Sequence, residues 1–133
     1  MKETWPDEII RFIQQFSAAQ ETFLHGCCYW FAWILYWRFR EAAAKAAWVT
    51  NILYEPVQGH FIFGICDMKL LDGKTDDNFM YFDVRGDVTD MYKGKELYTI
   101  RKMMDEMPDY YRRLMRDCRD FINPEDQELE ISA

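Results

Sequence analysis

The sequence predicts an α+β domain in which helices at both ends of the chain flank a small antiparallel sheet. Apolar residues recur at helical spacing near the N-terminus, whereas the middle of the chain carries short apolar runs that end at turn residues. Helices, then strands, then helices in this order are typical of the α+β class. At 133 residues the chain suits one hydrophobic core, so we expect a single domain over 1–133, with an acidic, frayed tail from about 123.

Two helices are predicted before the strands. The first covers residues 6 to about 19, because Pro6 suits a first helical turn. A short connection over 20–26 leads to a second helix, which begins near Cys27 and is apolar nearly all round through Trp37. Such a helix is usually central to its domain, and the Ala-rich stretch after it favours its continuation. Its apolar part is shorter than the roughly 20 residues of a membrane span, so we expect no membrane segment.

The remaining elements are predicted from the spacing of the apolar residues, which changes after the second helix. Strands are expected over 49–54, 60–68 and 79–84, with a polar turn over 71–78, and helices over 96–107 and 108–122 that are separated at Pro108.

Composition excludes several functional classes. Half of the residues are hydrophobic and 17% are aromatic, which is typical of a folded protein. The net charge of −7 argues against binding to nucleic acid, because phosphate contacts need clustered Lys and Arg. One basic cluster is interleaved with acidic residues and is interpreted as a solvated helix face: Arg112, Arg113, Arg116 and Arg119, with Asp109, Asp117 and Asp120. The sequence carries no signal pattern and its four cysteines do not suggest a disulfide scaffold, so we expect a cytoplasmic protein with free thiols.

Cys28 is the candidate nucleophile. A thiol attacks as a thiolate, and the start of a helix together with a nearby imidazolium favours that ionised form. Cys28 follows Gly26 at the start of the apolar helix. His60 opens a predicted strand and Asp83 ends the next one, so neighbouring antiparallel strands can bring the two side chains together. The hypothesis is that His60 is the base and that Asp83 orients it.

The residues around these three positions resemble a known superfamily. The segment Gly26-Cys27-Cys28-Tyr29-Trp30-Phe31-Ala32 resembles the papain-type nucleophile motif, and Gly59-His60-Phe61 and Tyr81-Phe82-Asp83-Val84-Arg85-Gly86 resemble its second and third elements. This order is similar to that of papain-like, NlpC/P60-like and transglutaminase-like folds, and the pattern is also similar to small phage and prophage proteins. The resemblance spans about residues 20 to 88. It implies a papain-like core, in which a buried nucleophile helix packs on a small antiparallel sheet, followed by C-terminal helices.

The sequence departs from the papain pattern at the oxyanion hole, the group of hydrogen-bond donors that stabilises the negative oxygen of the intermediate. The papain pattern has a Gln six residues before the nucleophile, where this chain has Thr22, and the nearest Gln is Gln20. The backbone N–H of Cys28 is one candidate donor.

Other interpretations of these residues stay open. Cys28 can be a small buried hydrophobe, His60 an edge-strand residue without a role and Asp83 a turn residue, while His25 is a rival base. A zinc site is a second chemical option, but the chain has no Cys-x-x-Cys or His-x-x-x-His spacing, so no metal and no cofactor is expected. The residues that would compose such a site are His25, Cys27, Cys28, His60 and Cys66. Otherwise Cys27, Cys66 and Cys118 are expected in the core.

The functional hypothesis is a thiol hydrolase or acyl-transfer enzyme that acts on an amide, isopeptide or thioester bond of a protein or peptide substrate. The alternative is a non-catalytic, phage-type interaction or inhibitor protein on the same fold, whose acidic surface binds a basic surface of a host protein. Thiol reactivity separates the two, because the enzyme needs a lowered pKa at Cys28 and the binding protein does not.

Overall fold

A computed structural model describes residues 5–24, 28–71 and 78–121. Helices precede and follow the three longer strands in the chain, as the sequence predicts, and one short helix lies between the last two strands. The helices are α1 (Trp5–Gln14), α2 (Gln20–Leu24), α3 (Cys28–Lys45), α4 (Thr89–Tyr92), α5 (Ile100–Glu106) and α6 (Pro108–Phe121), with short 3₁₀ turns at Ser17–Ala19 and Met68–Leu70.

The strands form one antiparallel sheet. They are β1 (Trp48–Glu55), β2 (His60–Asp67), β3 (Met80–Asp83), β4 (Gly86–Asp87) and β5 (Tyr98–Thr99), in the order β4-β3-β2-β1-β5. The β1–β2 hairpin pairs over its whole length, from Trp48 opposite Asp67 to Glu55 opposite His60. The α+β class and the antiparallel sheet are therefore confirmed.

The N-terminal region differs from the prediction. A single helix over 6–19 is wrong, because α1 ends at Gln14 and a 3₁₀ turn at Ser17–Ala19 follows. The predicted connection over 20–26 is wrong where Gln20–Leu24 forms α2. That stretch contains neither Gly nor Pro, so local propensity permits a helix there. The rest of the connection, residues 25 and 26, lies outside the described residues.

The two shortest strands were not predicted, because two residues carry no readable period. The strand β5 takes the start of the predicted helix over 96–107, and Thr99 then caps α5 through a hydrogen bond that its Oγ1 accepts from the N–H of Lys102, 3.1 Å away. The predicted break at Pro108 is confirmed. Most of the predicted turn over 71–78 and the tail from 123 lie outside the described residues.

The helix α3 packs against one face of the sheet and forms the centre of the core, as its apolar sequence predicts. Its buried residues are Tyr29, Phe31, Ala32, Leu35, Phe39 and Ala43. Phe31 and Leu35 belong to one cluster with Phe63 and Phe82 of the sheet. Tyr29 belongs to a second cluster nearer the start of the helix. Cys28, the candidate nucleophile, therefore lies at the N-terminal end of a helix that is held in place by packing.

The opposite face of the sheet is covered where α4 crosses it. Leu53, Ile62 and Tyr81 pack there with Val88 and with Tyr92 of α4. Tyr92 is 1% exposed. No helix among the described residues is both long and apolar enough to cross a membrane.

A left-handed residue joins α3 to β1. Ala47 has φ 63°, and the N–H of Ala47 bonds the carbonyl of Ala44 as the helix ends. Glycine usually occupies such a position, because its backbone meets no Cβ penalty there. The strand β1 begins at the next residue, Trp48, which pairs with Asp67 of the strand that carries His60.

Candidate active site

Cys28 is the first residue of α3 and is partly buried. Burial alone would raise the pKa of its thiol. A hydrogen bond from the His60 side chain, the N–H of Phe61, the charge of the His60 ring and the N–H of Tyr29 outweigh that effect and lower the pKa of Cys28. The position at the start of a helix, where backbone N–H groups are unpaired, is the physical origin of the Tyr29 contribution.

His60 is the first residue of β2 and is 7% exposed. Its Nε2 lies 2.9 Å from Oδ2 of Asp83. Burial lowers the pKa of His60, but the hydrogen bonds to Asp83 and Cys28, and the charges of both, raise it to about 9. Because Nε2 faces the carboxylate, Nδ1 is the ring nitrogen that is left to face the thiol.

Asp83 is the last residue of β3 and is 4% exposed. Burial would raise the pKa of its carboxyl, but hydrogen bonds from His60 and from the side chain and backbone of Arg85 lower it. Asp83 is therefore a carboxylate at neutral pH that fixes the proton on Nε2 of His60.

Arg85 and Tyr92 complete the surroundings of this pair. Arg85 donates to Oδ2 of Asp83 from Nη2 over 2.5 Å and from Nε over 3.1 Å. The Tyr92 ring stacks on the His60 ring, with centroids 6.0 Å apart and an interplanar angle of 21°. The sequence hypothesis did not assign either residue. An Arg two positions after the acid was a readable signal for the first, whereas nothing in the sequence pointed to Tyr92.

The turn of the β1–β2 hairpin places His60. Gly59 has φ 68°, a conformation that favours glycine, immediately before His60. The buried carboxylate of Glu55 accepts hydrogen bonds from the N–H groups of Val57 and Gln58, both over 2.8 Å. Glu55 is also the cross-strand partner of His60. The sequence predicted an end of the first strand at residue 54, but it did not reveal that the Glu55 side chain organises the turn that follows.

The other candidate residues either lie outside the described residues or are placed in the core. His25, Gly26 and Cys27 lie outside the described residues, so neither the rival base nor the glycine of the motif is located. Cys66 is fully buried, as expected, and its thiol donates to the carbonyl of Asp67 over 3.4 Å. The Cys118 side chain lies outside the described part of the chain. Within the described ranges, no three His, Cys, Asp or Glu side chains are grouped as metal ligands.

Two further predictions concern the surface. Thr22, which takes the place of the papain-type Gln, is exposed on α2. In the basic cluster, the exposed pair Arg112 and Asp109 forms an ion pair one helical turn apart, as expected for a solvated face. Arg113 and Arg116 are exposed as well. The side chains of 117, 119 and 120 lie outside the description.

Comparison with known proteins found no matching family model, no matching curated protein and no matching solved structure. The site is therefore interpreted from its own geometry.

Proposed function

We propose that the protein is a thiol hydrolase or acyl-transfer enzyme built on a papain-like core. In this proposal Cys28 attacks an amide, isopeptide or thioester carbonyl of a protein or peptide in the cytoplasm. The observation that carries it is the buried pair of His60 and Asp83, joined by Nε2 and Oδ2 over 2.9 Å. The His60 ring is in turn one of the groups that lower the pKa of Cys28 at the start of α3. The base of a cysteine hydrolase needs both contacts.

Electrostatics supports the proposal. The pKa of Cys28 is lowered and that of His60 is raised to about 9, so each group favours the charged form of the other. A thiol that served only as a core residue would gain nothing from such a partner. Cys28 itself carries a free thiol, as a nucleophile requires.

The proposed reaction proceeds in two stages. Sγ of Cys28 adds to the carbonyl carbon, a C–S bond forms, and the π electron pair moves to the oxygen. The tetrahedral intermediate collapses, the bond to the leaving group breaks, and the His60 imidazolium protonates that group. Neutral His60 then takes a proton from water or from an acceptor amine, which attacks the acyl thioester and returns the thiol. Asp83 keeps the ring oriented throughout and stabilises its cationic form.

The test uses p-nitrophenyl acetate as an activated acyl donor. We expect release of p-nitrophenolate with an acetyl adduct on the peptide that contains Cys28, detected by mass spectrometry. Cys28→Ala and His60→Ala should reduce the protein-dependent release to background. Asp83→Asn should reduce it less, because an amide still holds the ring. Cys27→Ala is the matched control and should react as the unchanged protein does. If all three site variants stay folded and react at the full rate, the catalytic proposal is wrong.

The alternative, a non-catalytic interaction protein, draws on one surface feature. Trp37 on the outer face of α3 is 60% exposed and stacks on Trp33, with centroids 5.6 Å apart, while the Arg40 guanidinium lies 4.5 Å from its centroid. Exposed aromatic and Arg side chains are enriched in protein interfaces. A biological activity that is lost in Trp37→Ala and retained in Cys28→Ala would favour this alternative.

A further inference from the structure

The buried hydroxyl of Tyr54 lies on the same side of the sheet as Cys28. Tyr54, on β1, is 1% exposed and packs in one cluster with Tyr29, Phe61 and the partly buried Cys28. Its ring centroid lies 4.8 Å from that of Phe61, the residue that follows His60 and whose N–H helps to lower the pKa of Cys28. The Tyr54 phenol therefore stands next to the strand end that carries the proposed base.

The hydroxyl of Tyr54 has one described hydrogen-bond partner, the hydroxyl of Tyr110 on α6. Tyr110 is 38% exposed, so this contact links the buried phenol to the protein surface. A phenol has one proton to donate and can also accept. If Tyr110 donates to the oxygen of Tyr54, the proton of Tyr54 remains available for another acceptor.

We propose that the Tyr54 hydroxyl donates a hydrogen bond to the oxyanion formed when Cys28 attacks a carbonyl, and that Tyr110 positions it. The inference rests on the proposed function and supplies the side-chain donor that the exposed Thr22 does not provide. The N–H of Cys28 at the start of α3 is the second donor. As the C–S bond forms, the π electron pair of the carbonyl moves to its oxygen. The N–H of Cys28 and the O–H of Tyr54 stabilise the negative charge on that oxygen and keep their protons.

The chemistry of the phenol suits this role. Burial, the Tyr110 hydroxyl and the charge of the Cys28 thiolate all raise the pKa of Tyr54, so the phenol keeps its proton across the physiological range. The Tyr54 hydroxyl also lies beside the residue that precedes His60, because a Cβ built at Gly59 would stand 3.4 Å from it. Donation from Tyr110 into the Tyr54 oxygen makes Tyr54 a stronger donor, because hydrogen bonds in a chain polarise one another.

The experiment separates oxyanion stabilisation from thiol activation. Tyr54→Phe removes one oxygen and keeps the ring, and it should slow acylation by p-nitrophenyl acetate by about 10²-fold. The pH midpoint of Cys28 alkylation by iodoacetamide should not change, because the groups that set the thiol pKa are His60 and the N–H groups of Phe61 and Tyr29. Tyr110→Phe should slow acylation by up to about tenfold, since it removes the positioning contact alone.

Tyr98→Phe is the matched control. Tyr98 pairs with Tyr54 across β1 and β5, but its hydroxyl hydrogen bonds to Glu96 instead. Removing the Tyr98 hydroxyl should leave the rate of acylation unchanged. If loss of any tyrosine hydroxyl in these strands disturbed the site, Tyr98→Phe would slow acylation as well.

Each outcome has a distinct meaning. Full acylation by folded Tyr54→Phe, with Cys28→Ala inactive, overturns the inference and leaves the proposed function intact. A shifted alkylation midpoint in Tyr54→Phe also overturns it, because Tyr54 would then act on the thiol. An active Cys28→Ala refutes the proposed function itself. If circular dichroism shows that Tyr54→Phe is unfolded, 3-fluorotyrosine at position 54 replaces it, and an unchanged acylation rate in that protein overturns the inference.

Discussion

Arg85 holds the carboxylate of Asp83 through three donors. Its Nη2 lies 2.5 Å from Oδ2, its Nε lies 3.1 Å from the same oxygen, and its backbone N–H donates to Oδ1 over 2.7 Å. The same Oδ2 accepts from Nε2 of His60. The planar guanidinium of Arg85 thus holds the Asp83 carboxylate in position, and that carboxylate orients the His60 ring.

Arg85→Ala should therefore lower the free energy of unfolding by roughly 1–3 kcal/mol, because it removes charge-assisted hydrogen bonds to a buried carboxylate. Urea denaturation measures this change. Arg85→Lys should recover only part of it, since an ammonium cannot make the bidentate contact. Arg112→Ala is the control: its ion pair with Asp109 is exposed, and its loss should cost less than about 1 kcal/mol. Equal losses in Arg85→Ala and Arg112→Ala would contradict the role given to Arg85.

The pKa of His60 predicts a loss of stability at alkaline pH. A pKa raised from 6.5 to about 9 means that His60 stabilises the fold fully below pH 6.5 and that this stabilisation disappears as the pH rises toward 9. Ionisation of Cys28 opposes the effect, so the measurement is made in Cys28→Ala, where Asp83 is the remaining group that raises the pKa of His60. Between pH 6 and pH 9 that protein should lose on the order of 1–2 kcal/mol relative to Cys28→Ala/His60→Gln. If the free energies of unfolding of the two proteins change equally between pH 6 and pH 9, the raised pKa of His60 is wrong.

Ala47→Gly should stabilise the protein. Ala47 has φ 63°, where a Cβ is unfavourable, so glycine should raise the free energy of unfolding by about 0.5–1 kcal/mol. Ala44→Gly, within the exposed end of α3, is the control and should lower it by about 0.5–1 kcal/mol. Thermal unfolding of the two variants gives the signs, and a lower melting temperature for Ala47→Gly would contradict the strained junction.

The sequence predicted those parts of the molecule that depend on long periodic segments. The apolar run after Cys28 and the short apolar runs around His60 and Asp83 carry enough residues to reveal α3, β2 and β3. Strands of two residues, such as β5 at Tyr98–Thr99, carry no such pattern and form because a neighbouring strand is available.

The site shows the same division. Cys28, His60 and Asp83 could be predicted as candidates because their residue types and their positions at the ends of elements carry the signal. Glu55 and Tyr92 were missed because their contributions depend on tertiary contacts: a carboxylate folded back on its own turn, and a ring brought from α4 onto His60. No spacing along the chain encodes either contact.

The pH dependence of Cys28 alkylation tests the central claim most directly. Iodoacetamide labelling of Cys28 is followed by tandem mass spectrometry, which distinguishes it from the adjacent Cys27, in the unchanged protein and in His60→Ala. We expect a midpoint clearly below the usual thiol value of about 8.5 in the unchanged protein, because the interaction with His60 lowers the pKa of Cys28. In His60→Ala the midpoint should rise to that value or above it, since burial then acts without its main counterweight. Identical profiles in the two proteins would contradict the pairing of Cys28 with His60.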